Sequence, residues 1–317
     1  MAADSATTNA TTPERAGAAW DYLKTAGLSL YHAGARWMGD NAMRLSAAVA
    51  MYTILSLSPL LVITIKVLAL VFGEEVASAH VQRQVTQFLG PVGSGAVRGM
   101  ITETVRPSAG VLATAISFGV LLFTASGVFT ELRDALNALW GIAPRPDRKW
   151  WAAIRDRFQA IGMVFVIGFL LLVSQVVTTS MTVLSEYVVG GPGWAAIVID
   201  LVASTLIVTA LFGMIFRFLP DVTLQWRDIV FGSVATAVLF KIGQYILALY
   251  FTYGSTASVY GAAGSFVVVL LWIYYSCWIL FYGAELIQIR LEWQGRRIEP
   301  SSGARLADDS PNHKGKA

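Results

Sequence analysis

Residues 260–287 read YGAAGSFVVVLLWIYYSCWILFYGAELI, and the fold class follows from this stretch. Glu285 is its only charged residue, and no proline interrupts it. An α-helix rises about 1.5 Å per residue, so roughly 20 apolar residues cross a hydrocarbon core of about 30 Å. The stretch is therefore long enough and apolar enough to form a transmembrane helix.

The whole chain has the composition of a membrane protein. Of its 317 residues, 56% are hydrophobic and only 14% are charged, whereas soluble domains are about 25% charged. The net charge of +3 fits the excess of lysine and arginine that cytoplasmic loops of membrane proteins carry. The single cysteine, Cys277, lies within the apolar stretch and has no second cysteine with which to form an intrachain disulfide.

Further apolar stretches precede the one at 260–287. They cover residues 45–72, 109–129, 158–184, 194–219 and 229–251. The turn-rich sequence TYGSTASVYG at 252–261 separates the last two helices, because the apolar material there is too long for one crossing. The sequence thus predicts an all-α integral membrane protein, with a six-helix transmembrane bundle in residues 41–294.

The distribution of lysine and arginine predicts the orientation of these helices. Basic residues precede the first helix, fill the links between helices two and three and between four and five, and recur in the tail. The links after helices three and five contain none, and basic residues favour the cytoplasmic side. We therefore expect the inner (cytoplasmic) membrane, with a polar cytoplasmic N-terminal segment at 1–40 and a disordered cytoplasmic tail at 295–317.

Two shorter segments have the spacing of amphipathic helices. In the loop 73–108, Val81, Val85, Phe88 and Leu89 recur at helical intervals, which indicates a helix on the outer face of the membrane. After the second apolar stretch, the segment FTELRDALNALW at 129–140 places its apolar residues on one face. We expect both segments to be interfacial helices beside the bundle.

Three quoted segments resemble one family of bacterial inner-membrane proteins. They are RLSAAVAMYTILSLSPLLVI at 44–63, ELRDALNALWGI at 131–142 and VYGAAGSFVVVLLWIYYSCWILFYGAELIQIR at 259–290. Together they look like the YihY/BrkB family, members of which were once labelled ribonuclease BN. The resemblance implies six transmembrane helices. Proposed roles of the family include export of lipids or other amphiphiles and, for some members, resistance to serum.

Lys241 stands out because it lies roughly in the middle of the predicted fifth helix. A charge at that depth costs about 2.5–3.5 kcal/mol on insertion scales, so Lys241 should face the bundle interior and find a partner. Asp200 in the fourth helix is the expected partner by depth, with Gln244 and Gln175 as neutral alternatives. These residues line a substrate path in one interpretation and form a buried structural pair in the other.

Pro59 offers a second candidate position on such a path. It removes a backbone hydrogen bond within the first helix, and Ser56 could satisfy the freed groups or face a polar cavity. Tyr260 and Gly261 open the last helix, where free amide groups can attract anions. The alternatives are a packing kink at Pro59 and a plain turn at Tyr260.

Charged residues near the helix ends are interfacial or gating candidates. Glu285 should reach water and pair with Arg44 or Arg217, both expected at the same depth. Glu131 and Arg133 lie in the inner amphipathic segment. The basic link 145–157 either binds anionic headgroups or serves only as a topology signal.

The sequence carries no recognisable catalytic centre. Its histidines, His32, His80 and His313, form no pair at metal-ligand spacing, and there is no phosphate-binding Gly-Lys-Ser/Thr loop. We expect no cofactor, no metal and no nucleic acid. Membrane lipids, a second copy of the chain or envelope proteins are the expected partners. Two functions remain: transport or flipping of a lipid-like compound in envelope biogenesis, and a non-transporting scaffold for envelope assembly.

Overall fold

The computed structural model describes residues 27–83, 86, 111–145, 155, 158, 162, 193–253, 264–301 and 303–307. Most of these residues are α-helical. Two short helices, α1 and α3, cover 27–39 and 74–83. The longer helices in the described ranges are α2 (Ala42–Phe72), α4 (Val111–Leu139), α5 (Gly193–Phe218), α6 (Trp226–Tyr253) and α7 (Gly264–Trp293).

The predicted apolar stretches form helices wherever the structure describes them. Three helices are long and apolar enough to cross a membrane, by length and composition, over Leu201–Phe218, Trp226–Leu247 and Phe266–Trp293 among the described residues. The chain is therefore an all-α membrane protein. The stretch at 158–184 lies outside the described residues apart from 158 and 162, so six crossings remain a prediction.

Helix α4 extends beyond the apolar stretch at 109–129. It continues through the amphipathic segment to Leu139, because no glycine or proline occurs between Gly127 and Gly141. The apolar face of that segment, including Phe129 and Leu136, is buried in the core. The expectation of a separate interfacial helix at 129–140 is therefore wrong.

The helix expected in the loop 73–108 begins at residue 74 as α3. Gly73 allows the reversal after α2 because it has a positive φ of 83°. Ala77 and Val81 of α3 pack on Ile65 and Leu68 of α2. The other residues of the predicted apolar stripe, Val85, Phe88 and Leu89, lie outside the described residues.

The polar tail contains two short strands. Glu299–Pro300 pairs antiparallel with Val222–Thr223, and Ala304–Leu306 pairs antiparallel with Ile142–Pro144. In chain order we call these strands β1 (142–144), β2 (222–223), β3 (299–300) and β4 (304–306). The prediction of a disordered tail is wrong for these residues. Polar composition suggested disorder, but the links supply backbone partners for the tail, as in the bond from Ala307 N–H to Gly141 O at 2.7 Å.

The described long helices contact one another in the order α4, α2, α7, α6, α5, with an added contact between α4 and α7. Helix α6 buries its small and polar residues, such as Ser233, Thr236 and Ala237, and exposes Val234 and Ile242. Soluble helices show the opposite distribution. Exposed aliphatic residues around a small-residue interior are what a lipid-facing helix requires.

Helices α6 and α7 approach each other closely through glycines. A Cβ atom on Gly283 would overlap the hydroxyl of Thr236, and one on Gly232 would overlap the side chain of Ile287. Further along the pair, Gly243 makes room for the Tyr275 ring. Thr236 donates its hydroxyl to the carbonyl of Gly232 at 2.6 Å, so this polar group is satisfied inside its own helix.

Replacing Gly283 with alanine should therefore destabilise the bundle. We expect a loss of about 1–3 kcal/mol, because the new methyl group overpacks a rigid contact. The melting temperature of the detergent-solubilised protein measures the effect. Gly119 is the matched control: it is exposed in α4 with open space around it, so Gly119→Ala should be neutral or stabilise by up to about 1 kcal/mol. Equal melting temperatures of both variants and the wild type would contradict the close approach.

Candidate functional site

One end of the bundle gathers charged side chains from separate elements. It comprises α1, the last turns of α4, the link between α5 and α6, the start of α6 and the end of α7. The short strands lie at the same end, since β1 and β2 follow α4 and α5 directly. We call this region the charged end and define it by Arg36, Arg133, Asp221, Asp228, Glu285 and Arg296.

Arg133 and Asp221 form a largely buried ion pair at the charged end. Nη2 of Arg133 lies 2.5 Å from Oδ1 of Asp221, and Nε donates to Oδ2 at 3.1 Å. Asn137, one turn further along α4, donates to the same carboxylate at 3.0 Å and accepts from the backbone N–H of Asp221 at 2.8 Å. This bidentate geometry is strong and directional, and it fixes the α5–α6 link to the end of α4.

Asp228 lies in the first turn of α6 and is almost completely buried. Nη1 of Arg296 donates to its carboxylate at 2.9 Å, and Nε of Arg290 lies 4.0 Å away. The guanidinium of Arg290 also covers the Phe231 ring, 4.1 Å from its centroid. An acidic residue near a helix N-terminus is favoured by the helix dipole. This pair fastens the tail to the start of α6.

Glu285 is fully buried near the end of α7. Nε of Arg36 lies 4.0 Å from its carboxylate, while Nη1 of Arg36 donates to Glu292 at 2.8 Å. Asp40 is a second neighbour of Arg36, also at 4.0 Å. Among the described residues, none donates a hydrogen bond to either oxygen of Glu285. An ionised carboxylate is costly to bury with so few partners, so Glu285 is a weakly satisfied acidic group at the charged end.

The expected partners of Glu285 were wrong. Arg44 is exposed at the start of α2. Arg217 donates to the backbone carbonyl of Leu224 at 2.6 Å and lies over the Trp226 ring. Arg36 comes from α1, a helix within the segment that the sequence classified only as polar, so its proximity to Glu285 had no local signal.

Lys241 is half-buried in α6 and is not without a partner. Helical spacing puts Lys241 at the edge of the face that carries Ser233 and Gln244, beside the exposed Val234, Val238 and Tyr245. Where α5 packs on α6, Gly213 lies against Ser233, and the rings of Phe212 and Phe240 are 5.5 Å apart. Thr205 and Thr209 precede Gly213 at four-residue steps. We call this set the polar seam: Ser233, Lys241 and Gln244 of α6 with Thr205, Thr209 and Gly213 of α5.

The remaining candidates are distributed more widely. Asp200 lies in α5, but its side chain is outside the described part of the structure, so its pairing with Lys241 stays a prediction. Ser56 is buried in α2, facing Gly127 of α4, and α2 continues as a helix through Pro59. Glu131 is half-buried in α4. Gln175, Tyr260 and Gly261, like most of the basic link 145–157, fall outside the described residues.

Sequence reasoning did not find Asp221, Asp228, Asn137 or Arg36. Asp221 lies in the link between α5 and α6 and Asp228 in the first turn of α6, so a pairing of opposite charges between helix ends and links was the available signal. The described residues contain no group of three or more histidine, cysteine or acidic side chains that could hold a metal ion. Cys277 is a free, buried thiol.

The helices, their lipid-type exposure and the charged end define a multi-helix membrane protein. Within that class, the chain belongs to the family described as Virulence factor BrkB, whose model matches residues 33–305. The resemblance to the YihY/BrkB family is thereby confirmed. No solved structure matches the chain.

Curated relatives of the chain include several named UPF0761 membrane proteins. One from Idiomarina loihiensis is 28% identical over 195 residues, covering 60% of this chain and 65% of its own length. One from Nitrosospira multiformis is 26% identical over 286 residues, covering 89% of this chain and 63% of its own length. The chain thus spans about three fifths of these relatives. Their names indicate no catalytic function.

The Arg133–Asp221 pair should be important for stability. Arg133→Ala leaves a mostly buried carboxylate with Asn137 as its remaining side-chain donor among the described residues, which should cost about 2–4 kcal/mol. Thermal unfolding in detergent measures this loss. The exposed Arg227 provides the control, since Arg227→Ala removes an arginine from the same end without breaking this pair. Similar melting temperatures for the two variants would contradict the assigned role of Arg133.

A double-mutant cycle should detect the coupling between Arg36 and Glu285. Arg36→Ala alone should cost about 1–2 kcal/mol, a modest value because Arg36 is one-third exposed. In a Glu285→Gln background the same change should cost less, because no buried charge remains. Arg44→Ala, which tests the partner that sequence suggested, should show no coupling. Strict additivity for Arg36, or coupling for Arg44 alone, would refute the structural assignment.

Proposed function

We propose that this protein transports or flips an amphiphile with an anionic headgroup across the inner membrane during envelope biogenesis. In this proposal the chain crosses the membrane six times, and the charged end faces the cytoplasm with both termini. The positive-inside distribution supports that orientation, because Arg133, Arg227, Arg290 and Arg296 all lie at the charged end. The sequence contains no phosphate-binding Gly-Lys-Ser/Thr loop, so the proposal does not make the chain an ATP-driven pump by itself.

The position of Lys241 carries the proposal. It lies roughly 22 Å from the start of α6 and roughly 18 Å from its end, counted at about 1.5 Å per residue. The surrounding helix is one of those apolar enough to cross a membrane. A cation at such depth is a functional candidate by default, because insertion scales assign it a cost of about 2.5–3.5 kcal/mol.

The polar seam supplies the other polar groups of the proposed path. Thr205 and Thr209 donate their hydroxyls to backbone carbonyls of α5, at 2.7 and 2.8 Å, and their oxygens remain able to accept further bonds. Gly213 and Ser233 extend the seam toward the charged end. A headgroup moving along α5 and α6 would meet hydroxyl and amide groups, while its acyl chains stay beside the exposed aliphatic residues of both helices.

An ion pair between Lys241 and Asp200 is compatible with this function. A bound anionic headgroup would take the place of the Asp200 carboxylate beside Lys241. The buried positive charge would then stay paired with an anion while the headgroup binds and leaves. The same pair would serve a purely structural purpose in a scaffold that moves no substrate. If the charge of Lys241 is removed and the protein still folds, a transporter should lose its activity, whereas a scaffold should keep its function.

Flipping of fluorescent phosphatidylglycerol in proteoliposomes tests the proposal. Lys241→Met keeps an unbranched side chain that is one atom shorter and removes its charge, so folded yield should be retained. The rate of flipping should fall at least about tenfold, equivalent to about 1.4 kcal/mol in the barrier. Fluorescently labelled phosphatidylethanolamine, which is net neutral, should be moved more slowly by the wild type.

Lys66→Met is the matched control. Lys66 is an exposed lysine in α2 that pairs with Glu74 at 2.7 Å outside the seam, so its loss should leave the flipping rate unchanged. Unchanged flipping by Lys241→Met, or no flipping by the wild type, would reject the transport proposal. Loss of folded Lys241→Met protein would favour the scaffold if a charge swap between Lys241 and Asp200 restored the folded protein and cell growth without restoring flipping.

A further inference from the structure

Helix α1 lies across the end of α7 instead of parallel to it. On one flank of α1, the carbonyl of Leu30 accepts a bond from the Tyr282 hydroxyl at 2.8 Å, and Trp37 packs on Trp278 with ring centroids 5.3 Å apart. On the opposite flank, Arg36 donates to Glu292. These contacts are separated by roughly 15–20 Å along α7, more than the width of a helix. The first flank therefore faces the membrane interior and the second faces away from it.

The turn between α1 and α2 explains this direction. Asn41 has a positive φ of 56°, a left-handed conformation that asparagine tolerates better than most residues. It breaks the helix between residue 39 and Ala42, so α1 leaves the axis of the bundle. Ala33 then packs into a cluster with Leu286 and Ile289 of α7, which fixes the helix in place.

Residues of α1 are sorted by polarity around its axis. The flank toward the charged end carries Ser29, His32, Arg36 and Asp40. The flank toward the membrane interior and the outward side of the helix carry no charged residue. On the uncharged side, large apolar side chains are exposed, from 45% for Leu30 to 72% for Tyr31. The exposed apolar set is Leu28, Leu30, Tyr31 and Met38.

The neighbouring helix also exposes apolar side chains. Across the turn, Met43, Met51 and Leu55 of α2 are exposed, so both helices present apolar groups to their surroundings. A protein partner would need to cover both helices at different orientations, but a lipid leaflet covers them without any specific fit. The polar flank of α1 meanwhile stays where headgroups and water are available.

We propose that α1 is an interfacial helix whose apolar half, Leu28, Leu30, Tyr31 and Met38, is embedded in the phospholipid leaflet at the charged end. The helix lies flat at the boundary between headgroups and acyl chains. Through Arg36 it joins that boundary to the buried carboxylate of Glu285. This inference concerns how the chain meets the leaflet, and it holds whether or not the protein moves a substrate.

Site-directed spin labelling of the full chain in phosphatidylglycerol and phosphatidylethanolamine vesicles tests this position. Single cysteines replace Tyr31 and Met38 on the apolar side and His32 and Gly39 on the polar side, in a Cys277→Ser background. All four positions are exposed, so the labels should not disturb the fold. The ratio of oxygen to nickel-chelate accessibility should be at least about threefold higher at 31 and 38 than at 32 and 39.

Two results would overturn the inference. Equal access of the nickel chelate at all four positions would place α1 in water. Loss of oxygen access at 31 and 38, with spin–spin broadening between chains, would show that a second copy covers the apolar half instead of lipid. Labels at Val230 and Val234 of α6, which are exposed in a membrane-crossing helix, calibrate the accessibility expected for lipid contact.

Discussion

The close approach of α6 and α7 is the contact on which the rest of the structure depends. Burial of apolar surface does not drive helix association inside lipid, so membrane helices rely on tight packing of small residues. Gly232, Gly243 and Gly283 supply that packing, and a single methyl group at Gly283 would collide with Thr236. Helix α7 also contacts α2 and α4, and α6 contacts α5. The close contact between α6 and α7 therefore fixes where α5 and the tail lie relative to the rest of the bundle.

The charged end follows from this arrangement. Once the ends of α4, α6 and α7 are brought together, their charged groups leave bulk water and must be neutralised nearby. Arg133 neutralises Asp221, and Arg296 neutralises Asp228, with geometry close enough for direct hydrogen bonds. Glu285 is the exception, since Arg36 stands 4.0 Å away and is engaged by Glu292. Stability accounts for the first two pairs better than for the third.

The described structure also separates two kinds of polar feature inside the bundle. Thr236 and Ser233 donate their hydroxyls to carbonyls of their own helix, so each is satisfied without a partner from a neighbouring helix. Lys241 cannot be satisfied in that way, because an ammonium group carries a full charge. In the proposed function, the charge of Lys241 therefore contributes more than these hydroxyl groups do.

Hydrophobic length and the placement of basic residues were sufficient to predict a helical membrane protein and the extent of α2, α5 and α6, because these depend on local composition. The family was predicted from the resemblance of three sequence segments, at 44–63, 131–142 and 259–290. Other features needed the tertiary structure. The partner of Glu285 lies 249 positions away at Arg36, and the tail becomes ordered only because the links at 142–144 and 222–223 offer it backbone hydrogen bonds. Helix formation is local, so a sequence window can reveal it. Ion pairing and strand pairing join distant segments, and only the packed chain decides which of several equally charged residues meet.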